Sequence, residues 1–402
     1  MFKVLDLFSG SGGMSYGFHS HPDFEVVGAV DRQSGKPSSK PGSLECNKTY
    51  AQNIGFEPFD ADLFDVSPED IATHFNLEEP VDVLISCAPC TGFSRMNANN
   101  HLNDDRRNSL VVRSGDFVEF FKPDIFLMEN ARELLKGNFG HHYAALKLRL
   151  EALGYSVYSK VHMLNKYGLP QLRERSLIIA RKEKGKIYSL DDIWSGFKIK
   201  SGTDTVRKAI SCFEPLNAGG VSKLDPDHAS PGMGEANLNR LSSVPKDGGS
   251  WVDLYRLGKI ELLTPGMRKL IDEGKLGSYP DIYGRMAWDE PARTIKRESA
   301  HIGNGRYAHP EQNRLCSVRE MATLQGYPTT FKFKGSLSNR YRHVGDAVPP
   351  LISRQIAAAC NWMLQGRRPT VEEFVLEGTS LKVEDVVETQ VCKSEFLQLK
   401  LA

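Results

Sequence analysis

Short runs of β-branched and other apolar residues alternate with helix-like segments through the first 180 residues. Each run has the length and composition of a buried strand, and the runs lie at 2–8, 24–30, 81–87, 124–130 and 176–182. The helix-like segments include 141–154, which ends in Gly154, a residue type that commonly follows the last turn of a helix. This alternation predicts an α/β fold, a doubly wound mixed sheet of Rossmann-like topology with helices on both faces.

The alternation stops near Ile187. From there to Tyr283 the chain is rich in Gly, Ser, Pro and charged residues and shows no sustained period. A last helix-like segment, 349–364, begins with prolines, which suit a first helical turn. A chain of 402 residues also exceeds what one hydrophobic core usually organises. We therefore predict a large domain at 1–186, a smaller loop-rich domain at 187–335, and a return to the large domain with a tail at 336–402.

Composition narrows the class of protein. The 51 Lys and Arg nearly balance the 50 Asp and Glu, so net charge does not by itself indicate a nucleic-acid partner. Seven scattered cysteines, an odd number, do not form the pattern of a disulfide framework and favour a reducing compartment. No apolar run approaches 18 residues, and Asp6 comes too early for a signal peptide. We expect a soluble cytoplasmic protein without a membrane segment.

One segment has a local excess of positive charge. Residues 160–208 contain 12 Lys and Arg against 5 Asp and Glu. Composition alone favours a solvated surface for such a run.

The first apolar run leads into the glycine-rich turn DLFSGSGGM. Gly10, Gly12 and Gly13 would let the backbone approach a ligand closely, and in an open α/β sheet this turn is where nucleotide-like ligands bind. An ordinary strand-to-helix turn is the alternative. Asp31 follows the second run, where a carboxylate can accept both hydroxyls of a ribose, and Asp62 offers another polar contact. Because the turn lacks the Lys-Ser/Thr of a phosphate-binding loop, a cofactor without a polyphosphate is favoured.

The segment ISCAPCTGFS, residues 85–94, carries Cys87 and Cys90 at the end of the third run. This spacing is compatible with a metal site, a redox pair or a nucleophile. A zinc site needs two more ligands, and no second Cys-x-x-Cys occurs, so we expect no metal. Nothing around the pair is typical of a thioredoxin-like site. We expect Cys87, inside the apolar run, to be an inert buried thiol.

Six segments resemble the characteristic blocks of the DNA (cytosine-5)-methyltransferases and occur in the same order: DLFSGSGGMSYGF, APCTGFS, MENARELL, QLRER, RLCSVREMATLQGYP and GDAVPP. The resemblance extends from residue 3 to about residue 364. It implies S-adenosylmethionine as cofactor, double-stranded DNA as substrate, and a target-recognition role for the smaller domain. It also implies a monomer of bacterial or phage origin that serves a restriction-modification system.

The same resemblance implies roles for individual residues. Carbon 5 of cytosine is a poor nucleophile until a thiolate adds at carbon 6, and Cys90 matches the residue that does so. Glu129 matches the glutamate that binds N3 and the exocyclic amine. Arg173 and Arg175 match a pair that contacts the target nucleotide, and on one strand they would face the same side. The cofactor residues that it implies are Phe8, Ser9, Gly10, Gly12, Gly13, Asp31, Asp62, Leu63, Pro89, Leu110, Asp346 and Ala347.

Three features depart from the family pattern. A segment at 32–46 is like an insertion, and it makes Glu45 an alternative to Asp31 for the ribose contact. The usual Asn of the last block is Asp346, which leaves its contact with the cofactor or the domain junction open. The tail at 366–402 lies beyond the resemblance.

The resemblance also implies how DNA is bound. The polar stretch after Cys90 matches a loop that closes over DNA once the base has left the stack. A duplex substrate would place phosphates near the basic run at 160–208. Sequence choice is expected within 187–289, whose residues able to read or wedge into a duplex are Trp194, Arg207, Arg240, Trp251, Arg256 and Arg268.

Two other functions stay open. A catalytically silent DNA-binding relative is disfavoured by the presence of Cys90, Glu129 and Arg175. Methylation of transfer RNA is disfavoured because the Cys-Phe-Thr signature of that subfamily does not occur.

Overall fold

The computed structural model describes residues 1–34, 42–89, 92–93, 103–183 and 185–389. Within these residues the strands are β1 (Phe2–Leu7), β2 (Phe24–Val30), β3 (Val83–Ser86), β4 (Ile125–Ala131), β5 (Tyr155–Met163), β6 (Gln171–Leu172), β7 (Glu174–Lys182), β8 (Phe197–Ile199), β9 (Ala292–Arg293) and β10 (Val386–Glu388). The helices are α1 (Gly13–His19), α2 (Cys46–Ile54), α3 (Pro68–His74), α4 (Leu110–Phe121), α5 (Glu133–Lys136), α6 (His141–Ala152), α7 (Leu190–Trp194), α8 (Val206–Ile210), α9 (Glu235–Ser243), α10 (Trp251–Arg256), α11 (Pro265–Asp272), α12 (Val318–Leu324), α13 (Leu337–Asp346), α14 (Pro350–Gln365) and α15 (Val371–Phe374).

The main sheet has the strand order β2-β1-β3-β4-β7-β5. β1 to β4 run parallel, whereas β7 is antiparallel to both of its neighbours. This confirms the predicted doubly wound mixed sheet, and each of the five apolar runs supplies one of its strands. The chain reverses its direction of progress across the sheet between β1 and β3. The carboxyl ends of those two strands are the place where such folds bind ligands.

The strand β5 was not predicted from the sequence. Most of its nine residues are only half-buried, since it pairs with β7 alone and lies at the edge of the sheet. An edge strand does not need the continuous apolar run of a central strand. Because β5 contains polar serines and Lys160, it lacks the apolar pattern by which the other strands were predicted.

Side chains alternate between the two faces of the sheet. Val4 of β1 and Ile85 of β3 belong to a core that α1 and α14 cover. Their sequence neighbours point to the other face: Leu5, which follows Val4, and Leu84, which precedes Ile85, belong to a second core that α4 and α6 cover. Burial on both faces explains why these strands are continuously apolar.

A further core lies around the fully buried Trp251 and draws its residues from 206–344. The predicted domain boundaries stay predictions, but this core bears on them. Leu190 and Trp194, beyond the boundary at 187, pack into the α1–α14 core. Phe333 and Tyr341, on either side of the boundary at 335, belong to the same core as Trp251.

The block RLCSVRE stabilises this core from inside. Arg314 and Glu320 are almost fully buried and form two hydrogen bonds, of 2.7 and 2.8 Å. The Glu320 carboxylate also accepts from the backbone N–H of Ser317, whose hydroxyl caps α12 in return. Removing one partner of a buried pair leaves an uncompensated charge, which costs about 3–5 kcal/mol.

The tail packs onto the α1–α14 core as far as the structure describes it, to residue 389. Phe374 and Leu381 are buried in the α1–α14 core, and β10 pairs antiparallel with β8. Leu381 lies over Gly168, where a Cβ atom would come within 2.6 Å of it. No helix in the described parts of the chain has the length and apolar character to span a membrane.

Candidate active site

A cavity of about 460 Å³ opens where β1 to β4 end. This volume lies within the range of about 300–1,000 Å³ that small-molecule sites occupy. The strand ends contribute Phe8 after β1, Asp31 after β2, Cys87 after β3 and Glu129 near the end of β4. The other lining residues come from the segments that follow these strands, from the segment after β9, and from the end of α13 with the residues after it. They are Ser9, Gly10, Ser11, Gly13, Met14, Arg32, Ser34, Leu44, Cys46, Ala61, Asp62, Leu63, Phe64, Ala88, Pro89, Asp105, Arg106, Arg107, Leu110, Arg297, His343, Asp346, Ala347 and Val348.

The glycine-rich turn shapes one wall of the cavity. Gly10 has a φ of +53°, and a Cβ atom built on it meets nothing within 4 Å, so its surface is open. Gly13 has no room for a side chain, because its Cβ would lie 2.4 Å from the Val348 carbonyl oxygen. Phe8 holds a left-handed φ of +64°, a strained conformation for a non-glycine residue and one that is common at binding sites.

Gly12 is the one predicted cofactor residue that does not line the cavity. Its φ of +91° requires glycine, and its Cα packs against Tyr50, from which a Cβ would be 3.1 Å. Gly12 is therefore needed for the conformation of the turn rather than to line the cavity. The sequence could not show this, because Gly12 is adjacent to residues that do line the cavity, such as Gly13.

Asp31 lies at the end of β2 and is tied into the turn. Its carboxylate accepts from the backbone N–H groups of Gly10, at 2.9 Å, and Gln33, at 2.6 Å. The Cys46 thiol approaches the same carboxylate at 3.5 Å. Burial raises the pKa of Asp31, and the two backbone N–H groups oppose that rise. A carboxylate has about four acceptor positions, so it can still accept from a ligand.

Glu45, the alternative to Asp31, does not line the cavity. It forms an ion pair with Lys48 at 2.8 Å and contacts Asn339 at 3.4 Å. The geometry therefore favours Asp31 for a contact with a bound cofactor.

A second acidic side chain, Asp62, lines the cavity beside Leu63. It accepts from the Phe64 backbone N–H at 3.0 Å and forms an ion pair with Arg32. The Arg106 guanidinium lies over the Phe64 ring, 4.6 Å from its centroid. These two arginines were not predicted from the sequence, because neither belongs to a block of the family.

Asp346, which replaces the usual Asn, faces a cation across the cavity. Its carboxylate forms an ion pair of 3.2 Å with Arg297. Burial raises the pKa of Asp346 to about 6, and the Arg297 charge opposes that rise. The Arg297 Nε and Nη2 atoms are buried and have no hydrogen-bond partner within the described residues. An acid in place of an amide was a sign that a cation lies nearby, but spacing could not identify Arg297.

Glu129 lines the cavity and pairs with Arg175 of the neighbouring strand β7, which does not itself line the cavity. Glu129 Oε1 and Arg175 Nε form an ion pair of 3.0 Å without hydrogen-bond geometry, and both side chains are more than four-fifths buried. The next residue, Asn130, donates from Nδ2 to the Ala88 carbonyl oxygen at 2.9 Å. This bond fixes the end of β4 against Ala88, which follows β3.

Arg173 does not lie where the sequence predicted. It is 2% exposed and does not line the cavity. Its guanidinium donates to the carbonyl oxygens of Ile295, at 3.1 Å, and Ala347, at 3.2 Å. The expectation that it faces the same side as Arg175 assumed one continuous strand, whereas Arg173 lies in the break between β6 and β7.

Cys90 lies outside the described residues, as does the polar stretch at 94–102. Its neighbour Pro89 lines the cavity, and so does Cys87. The expectation that Cys87 is buried was wrong, because β3 ends at Ser86 and Cys87 is only half-buried; that its thiol is inert stays a prediction. The five cysteines among the described residues form no disulfide.

The six residues of types able to read or wedge into a duplex differ in their accessibility. Trp194 and Trp251 are buried in the core, so they are not available to wedge into a duplex. The sequence could not show this, because an aromatic residue in a loop-rich segment can be either a core residue or a DNA contact. Arg240 donates to the Leu262 carbonyl oxygen, and Arg268 to that of Ile260. Arg256 stays exposed, with an ion pair of 3.4 Å to Asp253.

The basic run at 160–208 is partly neutralised by acids from other elements. Lys160 pairs with Asp191 at 2.9 Å, Arg207 with Asp289 at 2.7 Å, and Lys208 with Asp385 at 3.1 Å. A count of charges within the segment could not include two of these partners, because they are distant in sequence.

Comparison with known proteins identifies similar chains. A family model described as C-5 cytosine-specific DNA methylase matches residues 2–362. The Type II methylase M.HgiDII of Herpetosiphon aurantiacus is 32% identical over 369 residues, which are 90% of this chain and 96% of that protein. The Type II methyltransferase M1.HphI of Haemophilus parahaemolyticus is 32% identical over 358 residues, 88% of this chain and 85% of that protein.

A solved structure has the same fold. It is described as a DNA modification methyltransferase encoded within an E. coli prophage and superposes with a TM-score of 0.64 at 18% identity. The similarity covers 91% of this chain and all of that one.

Proposed function

Because the chain belongs to the C-5 cytosine-specific DNA methylase family, we propose that it methylates carbon 5 of cytosine within a specific double-stranded DNA sequence. The proposal includes S-adenosylmethionine as the methyl donor and a transient covalent bond between Cys90 and carbon 6 of a flipped-out base. The relatives named as Type II enzymes support a role as the modification enzyme of a restriction-modification system.

The observation that carries this proposal is the pair that Glu129, a residue of the cavity wall, forms with Arg175 behind it. Addition of the Cys90 thiolate to carbon 6 pushes electrons into the ring and makes carbon 5 nucleophilic. Negative charge then develops toward N3 and O2 of the base. Glu129 is proposed to bind N3 and exchange a proton with it, while Arg175 holds Glu129 and supplies positive charge.

The cavity residues fit S-adenosylmethionine, which when bound supplies the methyl group. Ser9 Oγ and two nitrogen atoms of Arg297 are buried without partners in the described residues, so a polar ligand would satisfy them. Asp31 has acceptor capacity for ribose hydroxyls. The Arg297–Asp346 pair carries both signs of charge, and we assign it to the zwitterionic amino-acid end of the cofactor. Arg173 is proposed to position Ala347, whose carbonyl oxygen it binds, rather than to contact the nucleotide.

Replacing Asp31 by alanine is expected to weaken cofactor binding. Loss of a hydrogen bond to a charged group costs about 1.5–3 kcal/mol, so affinity should fall by about tenfold or more. Isothermal titration calorimetry with S-adenosylmethionine measures it. Glu45→Ala is the matched control, since Glu45 lies off the cavity, and should bind as the parent does. If Glu45→Ala weakens binding and Asp31→Ala does not, the ribose contact belongs to Glu45.

Bisulfite sequencing tests the reaction and the substrate together. Host DNA and RNA are taken from cells that express the full chain and from cells with an empty vector, in a host without cytosine-5 methylation of its own. We expect protected cytosines in one short DNA motif and no new ones in RNA. If bisulfite converts every cytosine of the DNA although the expressed protein is folded and binds the cofactor, the protein is the catalytically silent relative. Protection of cytosines in transfer RNA alone would contradict the DNA substrate.

A further inference from the structure

Three potential metal ligands converge outside the cavity. His142 Nε2 lies 2.9 Å and His141 Nε2 3.2 Å from the same atom, Asp104 Oδ2. The ligand atoms of the three residues all lie within 4.8 Å of one another.

This convergence is unusual for the position of the two histidines. They begin α6, and successive residues of a helix point about 100° apart because a turn has 3.6 residues. Their rings nevertheless lie 4.1 Å apart, tilted by 36°, with both Nε2 atoms directed at one carboxylate oxygen. A single hydrogen bond to Asp104 would need only one of them.

We propose that Asp104, His141 and His142 bind a divalent transition metal ion of the zinc class. Imidazole nitrogen and carboxylate oxygen are ligands that zinc accepts, with bonds of about 2.0–2.1 Å, and tetrahedral geometry at these lengths separates the ligand atoms by about 3.3 Å. The observed 2.9 and 3.2 Å are near that spacing. His141 and Asp104 are exposed, so the ion has access from solvent and water completes its coordination.

The surroundings orient the ligands. Asn108 donates from Nδ2 to Asp104 Oδ1 at 2.7 Å, which fixes the carboxylate; Oδ2 contacts both histidines, and Oδ1 also lies 3.1 Å from His142 Nε2. The buried Phe93 ring lies edge-on to His142, with centroids 6.1 Å apart, and restricts its rotation. Such partners in the second coordination shell are typical of metal sites.

The position of the site gives it a structural consequence. Gly92, two residues after Cys90, packs so closely on Asn108 that a Cβ there would lie 2.1 Å from its Oδ1. Asp104 and Asn108 belong to the segment that leads into α4, while the histidines belong to α6. A bound ion would therefore tie the segment at 103–109 to α6. The sequence led us to expect no metal. That expectation rested on cysteine spacing alone, and it could not detect this cluster, because Asp104 and His141 are 37 residues apart.

Calorimetry with Zn²⁺ tests the site in the full chain after removal of metals with a chelator. The parent for this experiment carries Cys212→Ser, because Cys212 is an exposed thiol and thiolate sulfur is a ligand that zinc accepts. We expect one zinc ion per chain, and His141→Ala with His142→Ala should weaken its binding by at least about tenfold, the lower limit for loss of even a second-shell partner. His301→Ala, an exposed histidine elsewhere, should leave the affinity unchanged. Equal affinity in parent and double variant would overturn the proposal.

Two further measurements distinguish this site from zinc bound to a cysteine or elsewhere on the surface. Co²⁺ bound to nitrogen and oxygen ligands should give weak visible bands without the intense near-ultraviolet band of a thiolate ligand. A thiolate band that persists in the double variant would place the metal on a cysteine and overturn the assignment. Hydrogen exchange of peptides covering 103–109 should slow with Zn²⁺ in the parent and not in the double variant, and slowing in both would also contradict the site.

Discussion

Glu129→Gln is expected to lower the rate of methyl transfer by about 10²–10⁴-fold, the contribution of a general acid-base residue. Glutamine keeps the shape of the side chain but cannot exchange a proton with N3 of the base. It also removes the ion pair with Arg175, so less charge stabilises the ring as the thiolate adds. Single-turnover transfer of labelled methyl groups to a duplex that carries the target motif measures this rate separately from product release.

Glu174→Gln is the matched control for that measurement. Glu174 is the residue before Arg175 and pairs with Arg132 at 2.6 Å on the surface, away from the cavity. It should therefore retain the parent rate. An unchanged rate in Glu129→Gln, or an equal loss in both variants, would contradict the role given to Glu129. DNA affinity measured for each variant separates binding from chemistry.

The sheet could be predicted from sequence because its central strands are buried on both faces. Continuous apolar runs are the direct result of such burial, and each of the five runs corresponds to a strand. The helix predicted at 141–154 is α6, followed by Gly154 with a φ of +90°. β5 and the folding of the tail onto the α1–α14 core escaped prediction, since an edge strand and a short packed segment have no such period.

Cavity residues that directly follow strands could also be predicted. The carboxyl ends of parallel strands meet at one edge, so a residue such as Asp31 or Pro89 lies at the site once its strand is known. Partners brought in by tertiary packing could not. Arg297 reaches Asp346 from 49 residues away in sequence, and the carbonyl oxygens that bind Arg173 belong to the segments at Ile295 and Ala347.

Tertiary packing also limits what the sequence can predict for the smaller loop-rich domain. An isolated tryptophan or arginine in a loop-rich segment can be a core residue, an ion-pair partner or a DNA contact, and composition does not distinguish them. Trp251 is a fully buried residue of a hydrophobic core, and Arg207 forms an ion pair with Asp289. Only the fold separates these cases.

The central claim is that the Cys90 thiolate attacks carbon 6 of the target cytosine. After methyl transfer, loss of the proton at carbon 5 allows the thiolate to leave and restores the ring. Fluorine at carbon 5 cannot leave as a cation in place of that proton. A duplex with 5-fluorocytosine at the target should therefore hold the enzyme in a covalent adduct once S-adenosylmethionine has transferred its methyl group to carbon 5.

Cys87 provides the matched control, because it is a second thiol on the same segment and itself lines the cavity. The most direct measurement is denaturing gel electrophoresis of the parent, Cys90→Ala and Cys87→Ala after incubation with this duplex and S-adenosylmethionine. We expect a denaturation-resistant protein–DNA adduct for the parent and for Cys87→Ala, and none for Cys90→Ala. An adduct that survives Cys90→Ala, or one that is lost only in Cys87→Ala, would contradict this expectation.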